Sequence, residues 1–72
     1  MERLADIEKK LSAGEIENAF NSLSEFLEKE PKSAKGWYLM GGIYRRQQMW
    51  GEAINAYSKA KLIEPDGPAD AA

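Results

Sequence analysis

Apolar residues recur at three- and four-residue steps along most of the chain, which is the spacing of one face of an α-helix. Leu4, Ile7 and Leu11 form the first such stripe and predict a helix near residues 2–12, with Asp6, Glu8, Lys9 and Lys10 on its other side. Ser12-Ala13-Gly14-Glu15 interrupts the pattern, and a serine three residues ahead of a glutamate has the spacing of a capping box. That box predicts a second helix near residues 15–29, with Ile16, Ala19, Phe20, Leu23, Phe26 and Leu27 on one stripe. Pro31 ends it, because proline has no amide proton and disfavours helical geometry in the residue before it.

Ser33 is the expected N-cap of a third helix near residues 34–48, whose stripe is Trp37, Met40, Gly41, Tyr44 and Gln48. Glycine inside a helix costs about 1 kcal/mol relative to alanine, so the Gly41-Gly42 pair predicts close approach by a neighbouring helix. A break near Met49-Trp50-Gly51 precedes a fourth helix near residues 51–63, carrying Ala53, Ile54, Tyr57, Ala60, Leu62 and Ile63 and stopped by Pro65. Asp66-Gly67-Pro68-Ala69 has the form of a helix start, with proline in the first turn. Only four residues follow Pro68, so residues 66–72 are expected to be a frayed tail or the stump of a helix that continues in a longer protein.

Setting 19–31 against 53–65 gives five identities in thirteen positions: Ala19/Ala53, Asn21/Asn55, Ser24/Ser58, Glu30/Glu64 and Pro31/Pro65. Ile16/Trp50, Phe20/Ile54 and Leu23/Tyr57 are apolar matches in the same register. A fixed period of about 34 residues, filled by two helices, indicates a repeat architecture.

Ala34, Trp37, Met40, Gly41, Tyr44, Trp50, Ala53, Tyr57, Ala60 and Pro65 resemble the tetratricopeptide repeat pattern W-x2-L-G-x2-Y, A-x3-F, P, with methionine in place of leucine and tyrosine in place of phenylalanine. The first repeat is similar in its second helix, through Ala19, Leu23, Phe26 and Pro31. Its first helix departs: strict register puts Arg3, Asp6 and Lys10 at large apolar positions, one residue off the stripe of Leu4, Ile7 and Leu11. The resemblance implies an all-α fold of four antiparallel helices, two helix-turn-helix repeats stacked in a right-handed superhelix with a concave face built from the first helix of each pair. It divides residues 1–65, a single domain, into a first repeat of about 1–33 and a second of about 34–67. Two repeats are fewer than the three usually needed for independent stability, and no polar capping helix is evident, so the end near Ile54, Lys61 and Leu62 is expected to be uncovered and to favour self-association.

Composition narrows the function. The 72 residues contain no cysteine and no histidine, which removes disulfides, thiolate or imidazole metal sites, cysteine nucleophiles and histidine-based triads. No catalytic site, metal or cofactor is therefore expected. Charged residues make up 31% and hydrophobic residues 43%, the balance of a folded chain. The charged N-terminus lacks the apolar run of a signal peptide, and no stretch approaches the ~18 apolar residues of a membrane helix, so the expected location is the cytoplasm. Net charge is only -2, but residues 1–30 carry eight acids against four bases while residues 31–63 carry six bases against Glu52 alone.

Trp37, Tyr44, Trp50 and Tyr57 have helical core spacing and are expected to be core side chains rather than a stacking platform. Gly41-Gly42 lies mid-helix without a phosphate-loop motif around it, and Glu25, Glu28 and Glu30 read as a solvated face rather than a catalytic carboxylate pair. The remaining candidate surface is Lys35, Tyr38, Gly42, Arg45 and Arg46, on the side of the third helix turned away from its stripe. In the resembled family this side lines a peptide groove. One aromatic and three cations there suit an acidic segment, and equally fit a solvated basic face. The carboxylate clamp of chaperone-binding relatives, which uses lysine, arginine and asparagine from three repeats, is not expected of this chain. The expected function is a non-enzymatic protein-interaction module with a protein or peptide partner. A self-associating scaffold is the first alternative, with opposite charges on its halves favouring head-to-tail contacts, and weak nucleic-acid binding through residues 31–63 the second.

Overall fold

The computed structural model describes residues 3–65. Among them are four helices and no strand: α1 (Leu4–Ser12), α2 (Ile16–Lys29), α3 (Ala34–Arg46) and α4 (Trp50–Ile63). The expectations for residue 2 and for residues 66–72, including a further helix opening at Asp66, lie outside the described residues. Short connections make each helix fold back on the one before it. α2 and α4 begin and end at positions that the repeat register pairs, Ile16 with Trp50 and Lys29 with Ile63, and α1 and α3 end at the paired residues Ser12 and Arg46. The period seen in the residues is therefore also a period of the backbone.

The first turn corrects one expectation. Ser12 does not cap α2; it is the last residue of α1, and the N-cap of α2 is Glu15, which makes no side-chain capping bond. What turns the chain is Gly14 in the left-handed region at φ 83°. The Gly14 amide donates to Leu11 O at 3.1 Å and the Glu15 amide to Lys10 O at 2.9 Å. These paired bonds satisfy carbonyls at the end of α1 that the helix leaves without partners.

The same device recurs one period later without a glycine. Gln48 takes φ 61°, its amide donates to Arg45 O at 3.0 Å, and the Met49 amide donates to Tyr44 O at 2.8 Å. Gln48 is thus an exposed turn residue and not part of the α3 stripe. A side chain in this region costs about 1–2 kcal/mol, part of which glycine gives back as chain entropy. Gln48→Gly is therefore expected to stabilise the fold by about 0.5–1 kcal/mol, which for a chain this small is a rise in melting temperature of roughly 3–6 °C. A thermal melt that falls instead would contradict the turn geometry.

Pro31 and Ser33 behave as the residues suggest: α2 stops at Lys29, and the Ser33 hydroxyl accepts the Gly36 amide at 3.1 Å, capping α3. Ile7, Leu23 and Ile43 are completely buried and hold α1, α2 and α3 together, with Ala19, Leu27, Met40 and Ala56 completing the core. Burying each large side chain contributes about 1.5–3 kcal/mol. Ile43 and Ala56 were not in the expected stripes, which were drawn narrower than the arc α3 and α4 bury.

The closest pair of helices is α3 with α4. Ala53, Ala56 and Ala60 form the inner face of α4, and Gly41 faces the Tyr57 ring, so the two backbones approach closely. Trp50, expected in the core, is 58% exposed, and Ile54 and Leu62 are likewise exposed. The reason is positional: the equivalent α2 residues Ile16 and Phe20 pack against the core beneath α3, while among the described residues no helix follows α4.

Candidate protein-binding face

Around the α3 axis, Gly36, Met40, Gly41 and Ile43 are buried, and this arc faces α2 and α4. Lys35, Tyr38, Gly42, Arg45 and Arg46 occupy the opposite arc, as 100° per residue requires. The three basic residues are exposed, while Tyr38 and Gly42 are half-buried. The five residues therefore share one face of one helix, but neighbours engage most of them.

On the α1 side, Lys35 Nζ lies 3.5 Å from Glu8 Oε2. The pair is exposed, so it contributes only about 0–1 kcal/mol, yet it offsets one of the three cations. Arg46 Nη1 donates to Leu11 O at 3.3 Å. A cation at the C-terminal end of α1 meets the second lone pair of a carbonyl that already accepts the Gly14 amide, and the negative end of the helix dipole. On the α4 side, the Tyr38 ring packs on Tyr57 with centroids 5.4 Å apart. The Tyr57 hydroxyl would lie 3.9 Å from a Cβ at Gly42, an ordinary contact distance. The Arg45 guanidinium alone of the three basic groups makes no ion pair or hydrogen bond among the described residues.

Sequence reasoning missed Glu8, Leu11 and Tyr57 as edges of this face. The first two lie on α1, whose register to α3 no local pattern reveals. Tyr57 had a signal, since the large residue that follows a helical glycine into the next helix of this repeat pattern is its packing partner, but its ring also reaches the outer side beside Tyr38.

The other aromatics do not form a platform. Trp37 Nε1 donates to Pro31 O at 2.8 Å, and Lys59 Nζ sits 4.3 Å from the Trp37 ring centroid. Tyr44 meets Phe20 edge-to-face at 5.8 Å. Shallow open grooves flank Trp37, one between α2 and α3 lined by Ser24, Leu27, Glu28, Met40 and Tyr44, the other beside Pro31, Lys59, Leu62 and Ile63. Among the described residues no group of three or more acidic, histidine or cysteine side chains is placed to hold a metal ion. No helix among them is long and apolar enough to cross a membrane.

Compared with known families, residues 34–66 match the tetratricopeptide repeat model. No curated protein and no solved structure matches the chain.

Proposed function

Residues 34–66 are a tetratricopeptide repeat, which places the chain in that family, and from this premise we propose that it is a protein-interaction module doing no chemistry of its own. Residues 1–33 act as a first repeat of the same kind, supported by the backbone period that pairs α2 with α4. The peptide-binding face is that of Lys35, Tyr38, Gly42, Arg45 and Arg46. The observation that carries this reading is a half-buried tyrosine beside a helical glycine, flanked by Arg45, whose guanidinium is available to a ligand. Gly42 leaves a gap over the Tyr57 hydroxyl that lets a peptide backbone approach. With Lys35 paired to Glu8 and Arg46 bonded to α1, the face selects an acidic group chiefly through Arg45.

Two repeats present less area than a standard interface, so an extended acidic peptide binds at micromolar or poorer affinity. Attraction to an exposed arginine also fades with salt, because the screening length falls to about 3 Å at 1 M. The test is titration of an acidic peptide library at low and high salt. Arg45→Glu is expected to abolish binding while leaving helix content intact. Arg45→Glu with Arg46→Glu loses binding too, with a small loss of stability because the bond to Leu11 goes. Binding unchanged in Arg45→Glu, or insensitive to salt, sinks the reading and leaves a solvated basic face.

Self-association by head-to-tail stacking is disfavoured by α1. Its outward residues Arg3, Asp6 and Lys9 are exposed and polar, so a second copy has no apolar surface there to lay on α4. Nucleic-acid binding is disfavoured by the engagement of Lys35, Arg46 and Lys59 with protein groups.

A further inference from the structure

The indole of Trp37 stands as a wall between two shallow grooves, since it lines both. Its orientation is fixed from one side: Nε1 donates to Pro31 O at 2.8 Å, and Lys59 Nζ lies 4.3 Å from the ring centroid. Pro31 and Lys59 line the groove beside Leu62 and Ile63, and neither lines the groove between α2 and α3. The ring surface turned to the α2–α3 groove therefore carries no cation among the described residues. Lys59 shows what such a surface holds, because the negative face of an indole attracts a cation within about 6 Å of its centroid.

The α2–α3 groove supplies the other parts of a cation site. Buried Leu27 and Met40 give it an apolar floor, and Glu28 stands at its rim. Glu28 is exposed and makes no ion pair or hydrogen bond among the described residues. It also lies in the last turn of α2, where the helix dipole disfavours an anion. No contact within the fold explains a carboxylate at this position. α2 carries Glu17, Glu25 and Glu28 against Lys29 alone, so the approach to the groove is negative.

We propose that this groove takes an arginine side chain from a basic segment of a partner protein. The aliphatic stem lies on Leu27 and Met40, the guanidinium stacks on the open surface of Trp37, and its N–H groups donate to the Glu28 carboxylate. Arginine suits the site better than lysine, because a planar guanidinium can stack and pair at once and is more weakly hydrated than an ammonium. Because Trp37 is already held by Pro31, little freedom is lost when the guanidinium arrives. Trp37, Met40 and Tyr44 lie across the α3 axis from Tyr38, Gly42 and Arg45. The site is therefore separate from the concave face and opposite to it in charge.

The experiment uses three ten-residue peptides of glycine, alanine and serine that differ at one central residue: arginine, lysine, or citrulline, which is neutral and nearly the shape of arginine. Each is titrated into the protein, followed by NMR. Of the two indole N–H signals, that of Trp37 is expected to shift together with Leu27 and Met40, while that of Trp50 does not move. The arginine peptide should bind at submillimolar affinity, the lysine peptide roughly threefold and the citrulline peptide roughly tenfold more weakly. Glu28→Gln should weaken arginine binding roughly fivefold with a melting temperature no lower than the parent's, because the carboxylate lies at the wrong end of the helix dipole. Arg45→Gln, on the concave face, should leave this binding unchanged, so the proposal and the concave-face reading fail separately. Absence of a Trp37 shift at millimolar arginine peptide, equal binding of the lysine or citrulline peptide, or indifference to Glu28→Gln overturns the proposal. So does a concentration-dependent self-association that Glu28→Gln dissolves, since the arginine would then come from a second copy.

Discussion

Gly41→Leu is expected to unfold the chain or leave it without cooperative melting. A Cβ at this position would lie 2.8 Å from Tyr57 Cδ1 and Cε1 and 3.0 Å from Cζ, closer than carbon atoms approach without displacement, and leucine adds three more carbons. The ring cannot step aside, because Tyr38 packs against it and Ala53, Ala56 and Ala60 hold its helix tightly against α3. Overpacking of this kind costs about 1–3 kcal/mol or more, and a chain of this size holds only about 3–5 kcal/mol in total. The change acts on the most intimate helix pair, so α3 and α4 have to separate. Gly42 is the internal control. A Cβ there meets only the Tyr57 hydroxyl at 3.9 Å, so Gly42→Ala should gain about 1 kcal/mol of helix propensity and melt higher. Circular-dichroism melts of both variants decide it. Equal melting temperatures for Gly41→Leu and the parent would remove close packing as the reason for this glycine.

Leu23→Ala is expected to have the next largest effect, a loss of about 2–5 kcal/mol. Leu23 is wholly inaccessible and sits with Ile7 and Ile43 where α1, α2 and α3 converge, so no single helix can shift to fill the cavity without uncovering another. Most of the molecule should be unfolded at room temperature. Leu62→Ala removes the same atoms from a side chain that is 82% exposed and should change stability by no more than about 0.5 kcal/mol. Urea titration of the two variants separates burial from residue type. Similar midpoints would mean that the core is not where these contacts put it.

Much of the fold was legible because its determinants are local. The three- and four-residue spacing of Ile16, Ala19, Leu23 and Leu27 defines α2 within a residue, Pro31 ends it, and Ser33 caps α3 by a bond that spans three residues. Ser12 misled for the same local reason: serine and glutamate at that spacing cap many helices, but Gly14 in the left-handed region had already turned the chain and left Ser12 inside α1. Gln48 itself gave no sign of the turn it makes, since glutamine has no preference for positive φ and the turn is closed by its amide on Arg45 O and the Met49 amide on Tyr44 O.

The sequence by itself determined the helix count, the repeat period and the small residues at Gly41, Ala53 and Ala60, because period and residue size are properties of single positions. It also determined which face of α3 carries Lys35, Tyr38, Gly42, Arg45 and Arg46, because 100° per residue leaves no other arrangement. Only the tertiary structure decided which groups on that face are already engaged. It ties Lys35 to Glu8 and Arg46 to Leu11, and leaves the Arg45 guanidinium without either kind of bond among the described residues. It also exposed Trp50 and Ile54 although Ile16 and Phe20, their counterparts in the pattern, pack against the core. Burial is a property of what lies on top of a residue, and a residue's own identity and spacing do not specify whether another helix arrives to cover it.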